Sequence, residues 1–184
     1  MKQRICLLLV LIVALSTASI AETNGAASEF GLKGFAWGDP MEKVKEVEGT
    51  NIASSGKKDD SDVSYIVYET MVAGHKMHLK YSFNNEGLCE VQYISAEQHS
   101  DNSLYLDDYA AFKDILKKQY GYTIFQFENW KDESKKSSYA NRKGDAVSRG
   151  YLTYSMTWFE DDSFVFLEMS AENGEISVFV TYFH

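Results

Sequence analysis

The fold is decided by the stretch KMHLKYSF, residues 76–83, in which polar and apolar side chains alternate. Because successive side chains of a β-strand point to opposite faces, this alternation predicts a strand with one buried and one solvated face. The buried set is Met77, Leu79, Tyr81 and Phe83. Similar runs lie at 65–73 and 88–95, separated by turn residues at Gly74 and at 84–87. The sequence therefore predicts an antiparallel meander of three strands.

A short amphipathic helix is predicted before this meander. Asp39 is a suitable N-cap, Pro40 suits the first helical position, and Gly49 can end the helix. The polar residues 50–62 that follow are typical of a loop.

The second half of the chain repeats this order of elements. A helix is predicted near 107–120, ended by Gly121, and a polar insertion is predicted at 129–149. A strand is predicted at 122–127, and three more at 151–159, 164–170 and 175–183. We expect an α+β fold of two α-βββ units, with antiparallel meanders forming one sheet and helices packed on one face.

The two units resemble each other in sequence. Tyr65-x-x-Tyr68 recurs as Tyr151-x-x-Tyr154, and the turn at 85–87 has a counterpart at 172–174. One interpretation is a tandem repeat of residues 30–95 and 104–184 within a single domain spanning 30–184. The alternative is chance similarity between hairpins that obey the same turn rules.

The N-terminus predicts export. Lys2 and Arg4 precede the apolar run 5–15, and Ser19-Ile20-Ala21 has the small residues that signal peptidase requires. We expect a signal peptide at 1–21 that is cleaved after Ala21, followed by a flexible lead at 22–29. A retained anchor is the alternative, but the apolar run is shorter than the roughly 20 residues of a spanning helix. The predicted location is the periplasm or the extracellular space.

Charge and cysteine content limit the possible partners. Loss of Lys2 and Arg4 with the leader would move the net charge from −9 to −11. An acidic domain is poorly suited to nucleic acid or anionic lipid, which attract clusters of Lys and Arg. Only Cys89 would remain after cleavage, and its alternating context predicts a small buried strand residue sharing a face with Val91 and Tyr93.

No motif predicts catalysis. A Gly-x-Ser-x-Gly elbow and a phosphate-binding glycine loop are both missing from the sequence. His75 and His78 would project to opposite faces of a strand, and the acidic runs 59–62 and 160–162 are typical of solvated turns. We therefore expect no enzymatic activity, no metal and no cofactor, with a hydrolase of dispersed site as an alternative.

The last two strands are apolar on both faces. Alternation places Val165 and Leu167 on one side of the first strand and Phe164 and Phe166 on the other. In the same way it places Val178 and Val180 opposite Phe179 and Phe183. If helices cover one face only, the binding residues are Phe164, Phe166, Phe179 and Phe183, with Trp158 as a core alternative. The opposing interpretation is that the insertion, the N-terminal segment or a helix covers this face.

The expected function follows from this aromatic face. We expect an exported interaction module without enzymatic activity that recognises another envelope protein, or a second copy of itself, without a stable membrane anchor. The alternative binding role is a small-ligand carrier in which the aromatic residues line a pocket.

A resemblance supports the same expectation. The stretch FGLKGFAWGDPMEKV, residues 30–44, followed by Glu48-Gly49, resembles the opening of many small exported bacterial proteins of uncharacterised function. The order of elements is also similar to that of the outer-membrane assembly lipoprotein BamE and of the β-lactamase inhibitor protein. Those proteins bind other proteins and are not enzymes, so the resemblance implies a protein-binding role. This chain differs from them in having no lipobox and no cysteine pair.

Overall fold

The computed structural model describes residues 29–59, 61–160 and 162–184. The predicted signal peptide at 1–21, its cleavage after Ala21 and nearly all of the lead at 22–29 lie outside the described residues. None of the helices in the described ranges is long and apolar enough to cross a membrane.

The protein is α+β, and its described residues form one eight-stranded antiparallel sheet and three α-helices. The helices are α1 (Met41–Glu48), α2 (Leu104–Tyr120) and α3 (Lys143–Ser148). The strands of the first half are β1 (Ser54–Lys57), β2 (Ser64–Val72), β3 (His75–Asn84) and β4 (Gly87–Ser95). Those of the second half are β5 (Phe125–Trp130), β6 (Leu152–Glu160), β7 (Ser163–Glu172) and β8 (Glu175–Phe183).

The strand order across the sheet is β1-β2-β3-β4-β8-β7-β6-β5. Each half is a meander, and the two meanders join through their last strands, where Val91 of β4 lies opposite Tyr182 of β8. The first meander has one strand more than expected, because β1 lies within the predicted loop 50–62. The expected strand at 122–127 begins instead at Phe125 and becomes the outer strand of the second meander.

All three helices lie on the same side of the sheet. Helix α2 buries Phe112 and Leu116, and its Tyr109 ring contacts Tyr154 of β6. Cross-strand partners share a face in an antiparallel pair, which places Tyr154, Leu79 and Val180 together beneath the helices. The alternation of residues 76–83 is therefore confirmed, because its apolar members belong to this covered face.

The segment before α1 packs on the covered face as well. The Phe30 ring meets Tyr93 of β4 and Phe112 of α2 edge to face, with centroids 5.2 and 5.4 Å away. The Trp37 indole Nε1 donates a hydrogen bond to Ser163 Oγ at 2.9 Å. These contacts join the start of the domain to both halves of the sheet.

Three local expectations are corrected. Asp39 does not cap α1; its carboxylate accepts hydrogen bonds from the Ala36 backbone and from Lys43, and Pro40 is the N-cap residue. The insertion at 129–149 is partly buried rather than wholly polar, since α3 places Ala146 and Val147 in the core. Cys89 is half-buried at a β-bulge, because Ser82 pairs with Glu90 while Phe83 pairs with Leu88.

Candidate interaction face

The face of the sheet opposite the helices is rich in phenylalanine. In one cross-strand row Phe159 lies opposite Phe164, which lies opposite Phe183. In the next row Phe166 lies between Thr157 and Thr181. We refer to the seven rings on this side as the phenylalanine face: Phe125, Phe127, Phe159, Phe164, Phe166, Phe179 and Phe183. More than half of the chain's 11 phenylalanines therefore lie on the side without helices.

Four of these rings form a connected platform. Phe166 and Phe183 stack with centroids 4.9 Å apart, and Phe164 stacks on Phe183 at 5.7 Å. Phe159 extends the platform, with its centroid 5.1 Å from that of Phe164. These separations lie within the range in which aromatic pairs attract each other. The platform is thus ordered by its own contacts.

Three buried tyrosines on the covered side contrast with the exposed phenylalanines of the outer face. Tyr81, Tyr93 and Tyr182 are buried under the helices, where their hydroxyls find partners in Glu48, Gly31 and Tyr120. On the other side, phenylalanine rings that gain nothing from water are exposed. The exposed fractions are 57% for Phe125, 55% for Phe127, 51% for Phe159 and 39% for Phe164. A contiguous apolar patch on a folded protein usually marks a surface that binds another molecule.

The phenylalanine rings are confined to the half of the outer face formed by β5–β8, whereas Tyr65, Val67 and Met71 of β2 are among the apolar members of the other half. On β3 of the other half, Lys76, His78 and Lys80 occupy this face. Lys80 forms an ion pair with Glu90 of β4, with Nζ and Oε1 3.7 Å apart. One side of the sheet therefore presents a half of mixed polarity and a phenylalanine-rich half, which meet where β4 pairs with β8.

Carboxylates accompany the aromatic half. Glu168 lies opposite Phe179 on this face, and among the described residues no hydrogen bond or ion pair engages its carboxylate. Glu172 and Glu175 lie opposite each other beside the β7–β8 turn. Lys131 lines a shallow groove together with Glu168. Three glutamates, Glu168, Glu172 and Glu175, therefore face one lysine on this half. This half of the face is suited to a basic surface.

The four residues predicted to bind lie together on this face. Phe164, Phe166, Phe179 and Phe183 all project away from the helices, and Phe164 is the most exposed of the four. Within the described residues, Phe30, α2 and the α3 part of the insertion pack on the opposite face. Trp158 is a core residue, and its Nε1 donates to the Gly121 carbonyl at 3.2 Å.

Sequence reasoning missed the other members of this surface. Phe125 and Phe127 were expected only as part of the strand at 122–127. Phe159 was expected only as the last residue of the strand at 151–159. The signal was available, because the alternation FQFEN at 125–129 places both phenylalanines on one side. Glu168 gave no comparable signal, since its lack of a partner depends on the folded sheet.

A second cluster, on the covered side, joins two histidines to one buried aspartate. His99 Nε2 lies 2.7 Å from Asp108 Oδ2, and His75 Nδ1 lies 3.8 Å from Oδ1 of the same carboxylate. No group of three or more His, Cys, Asp or Glu side chains within the described ranges is arranged to hold a metal ion.

The fold and the face were compared with known proteins. No protein-family model, no curated protein and no solved structure matches the chain.

Proposed function

We propose that this protein is a binding module for another protein, and that the phenylalanine face is its docking surface. The observation that carries the proposal is the one-sided arrangement of the sheet, with α1, α2 and α3 on one face and exposed phenylalanines on the other. Aromatic side chains at the centre of an interface supply most of its binding energy, since their burial removes large apolar areas from water.

The partner is proposed to be a basic protein with an apolar centre to its contact surface. Glu168, Glu172 and Glu175 outnumber Lys131 on the aromatic half, and the whole chain carries a net charge of −9. Complementary charge at the rim accelerates encounter and selects the partner, while the rings provide affinity. The rings line an open surface and not an enclosed cavity, which favours a protein over a small ligand as the occupant.

The proposal is tested with two matched double variants. Phe159→Asp/Phe164→Asp introduces charge into the platform at positions that are already exposed. Val47→Asp/Met71→Asp makes the same chemical change at exposed apolar residues, with 63% and 40% exposure, outside the phenylalanine face. Circular dichroism and thermal melting establish that both variants are folded before binding is measured.

Proteins captured from an envelope extract by the tagged chain are identified by mass spectrometry, and the candidate is purified for titration. We expect the platform variant to lose at least about 2 kcal/mol of binding free energy, roughly thirtyfold in Kd, while the control binds normally. Glu168→Lys should weaken binding and reduce its salt dependence. If the folded platform variant binds as tightly as the control, the phenylalanine face is not the docking surface.

A further inference from the structure

The two edges of the sheet differ in how well they are protected from pairing with another strand. At one edge, β1 has only four residues and ends in Lys57, with Lys58 following. At the other edge, β5 has six residues with neither lysine nor proline among them, and its one neighbouring lysine, Lys131, follows the strand. Short edge strands and edge lysines prevent pairing between sheets, whereas a longer unguarded edge invites it. Residues 125–129 of β5 are all exposed.

The unpaired backbone groups of β5 belong to its even-numbered residues. The Lys131 backbone N–H donates to the Tyr151 carbonyl at 2.8 Å, which places odd-numbered residues in hydrogen-bonded pairs with β6. The backbone N–H and C=O groups of successive residues point alternately to the two sides of an antiparallel strand. Gln126 and Glu128 therefore direct these groups away from β6, toward the open edge of the sheet. Within the described part of the chain no strand pairs with this edge.

The sequence of β5 is complementary to itself. When two copies are aligned antiparallel about Phe127, Gln126 lies opposite the partner's Glu128, and Phe127 lies opposite the partner's Phe127. The first pair joins an amide donor to a carboxylate, and the second joins two aromatic rings at the closest cross-strand position. The alignment places Phe125 opposite the partner's Asn129, so no like charges meet.

Charge at this edge is already balanced within each chain. Lys143 Nζ lies 2.7 Å from Glu128 Oε2, and the Trp130 indole donates to Oε1 at 2.9 Å. Burial opposes ionisation of Glu128, but these hydrogen bonds outweigh it, so the pKa of this carboxyl lies below its usual value. Two acidic chains can therefore meet along β5 without placing an uncompensated carboxylate between them.

We propose that two copies of this protein dimerise by antiparallel pairing of their β5 edges. The pairing continues the sheet across the two-fold axis and places both phenylalanine faces on the same side. It goes beyond the proposed function, because it uses the edge of the sheet and not the Phe159–Phe164 platform. Phe127 contributes to both surfaces, but only self-association requires the backbone of Gln126 and Glu128.

Sedimentation of the purified protein over a range of concentrations provides the first test. We expect a monomer–dimer equilibrium that Phe127→Lys weakens by about tenfold or more, because two lysines would face each other where two rings had paired. Phe159→Lys, the same substitution at an exposed phenylalanine away from the edge, should leave the dimer intact. A wild-type chain that stays monomeric, or a dimer that survives Phe127→Lys, overturns the proposal.

Cross-linking tests the register and does not depend on how the lysine variant folds. In a Cys6→Ser/Cys89→Ser background, Phe127→Cys should give a disulfide-linked dimer on mild oxidation, because the two thiols face each other across the axis. Phe159→Cys in the same background should not. Equal cross-linking of both variants would contradict pairing through β5. The two proposals are separated by the Phe159→Asp/Phe164→Asp variant. If it no longer captures the partner but still dimerises, the docking surface and the dimer interface are different surfaces.

Discussion

The rings of Phe166 and Phe183 lie 4.9 Å apart, with 16° between their planes, on adjacent strands of the uncovered sheet face. A pair of this geometry contributes about 0.5–1.5 kcal/mol beyond the burial of its surface. We expect Phe166→Leu and Phe183→Leu to be coupled by about that amount in a double-mutant cycle followed by urea denaturation. Phe166→Leu combined with Val47→Leu on α1 should be additive. Strict additivity for the first pair would show that the stacking adds no stability.

Gly87 is predicted to tolerate no side chain. Its φ is +105°, and a Cβ placed there would lie 2.2 Å from the Gly38 carbonyl oxygen. Gly174 has a similar φ of +90° but open space around it. Gly87→Ala should therefore lower the free energy of unfolding by several kcal/mol, through both strain and the clash, whereas Gly174→Ala should cost only about 1 kcal/mol of strain. Chemical denaturation of both variants measures the difference, and similar losses would contradict the close approach of residue 87 to residue 38.

Buried tyrosines predict loss of stability at alkaline pH. Burial, together with the hydrogen bond to Glu48, raises the pKa of Tyr81 well above its ordinary value of 10.0. Burial likewise raises the pKa values of Tyr93 and Tyr182. Above pH 10 the unfolded chain releases protons that the native protein retains, so this stability is complete below pH 10 and declines as pH rises further.

Two signals followed during alkaline titration check this prediction. Tyrosinate absorbance from the buried residues should appear together with the loss of far-UV circular dichroism, because these hydroxyls ionise on unfolding. Full ionisation of all 12 tyrosines in a protein that keeps its native spectrum would disprove it. Tyr81→Phe should reduce by one the number of protons released on unfolding above pH 10.

Asp108 is expected to stabilise the docking of α2 on β3. Its buried carboxylate accepts from His99 at 2.7 Å and lies 3.8 Å from His75, so its removal leaves both imidazoles without this partner. Asp108→Ala should cost about 1–3 kcal/mol of unfolding free energy. The exposed neighbour Asp107 supplies the control, since Asp107→Ala should change stability by no more than about 0.5 kcal/mol. Equal effects in thermal denaturation would remove any special role for Asp108.

The elements predicted correctly from sequence are those with a strong period. The alternation at 76–83 and the helix near 107–120 are found in the structure because one side of each element faces the core, as the burial of Phe112 and Leu116 shows for the helix. Strand β1 was missed because an edge strand of sequence SSGK has no apolar side chain to show a period. Helix α3 was missed because it is short and contains Gly144, a residue that disfavours helix. The structure explains this glycine by its close approach to the Asn102 backbone, which leaves no room for a side chain.

The candidate face was half predictable. Parity along β7 and β8 assigns Phe164 and Phe179 to one side, but the side that the helices cover is decided by packing between elements. The pairing of His75 and His99 on Asp108 has the same origin, since the three residues lie on β3, on a connecting loop and on α2. The spacing of these residues along the sequence does not predict that both histidines contact Asp108.

Of the eight described strands, β8 is synthesised last, yet it lies between β4 and β7 at the centre of the sheet. A nascent chain can form either meander by local contacts, but it cannot join them until Glu175–Phe183 has left the ribosome. Until then β4 and β7 both present open edges, which makes the incomplete chain prone to aggregation. Premature termination near the C-terminus would therefore disable both halves at once, and the completed protein closes its sheet in a single late, non-local step.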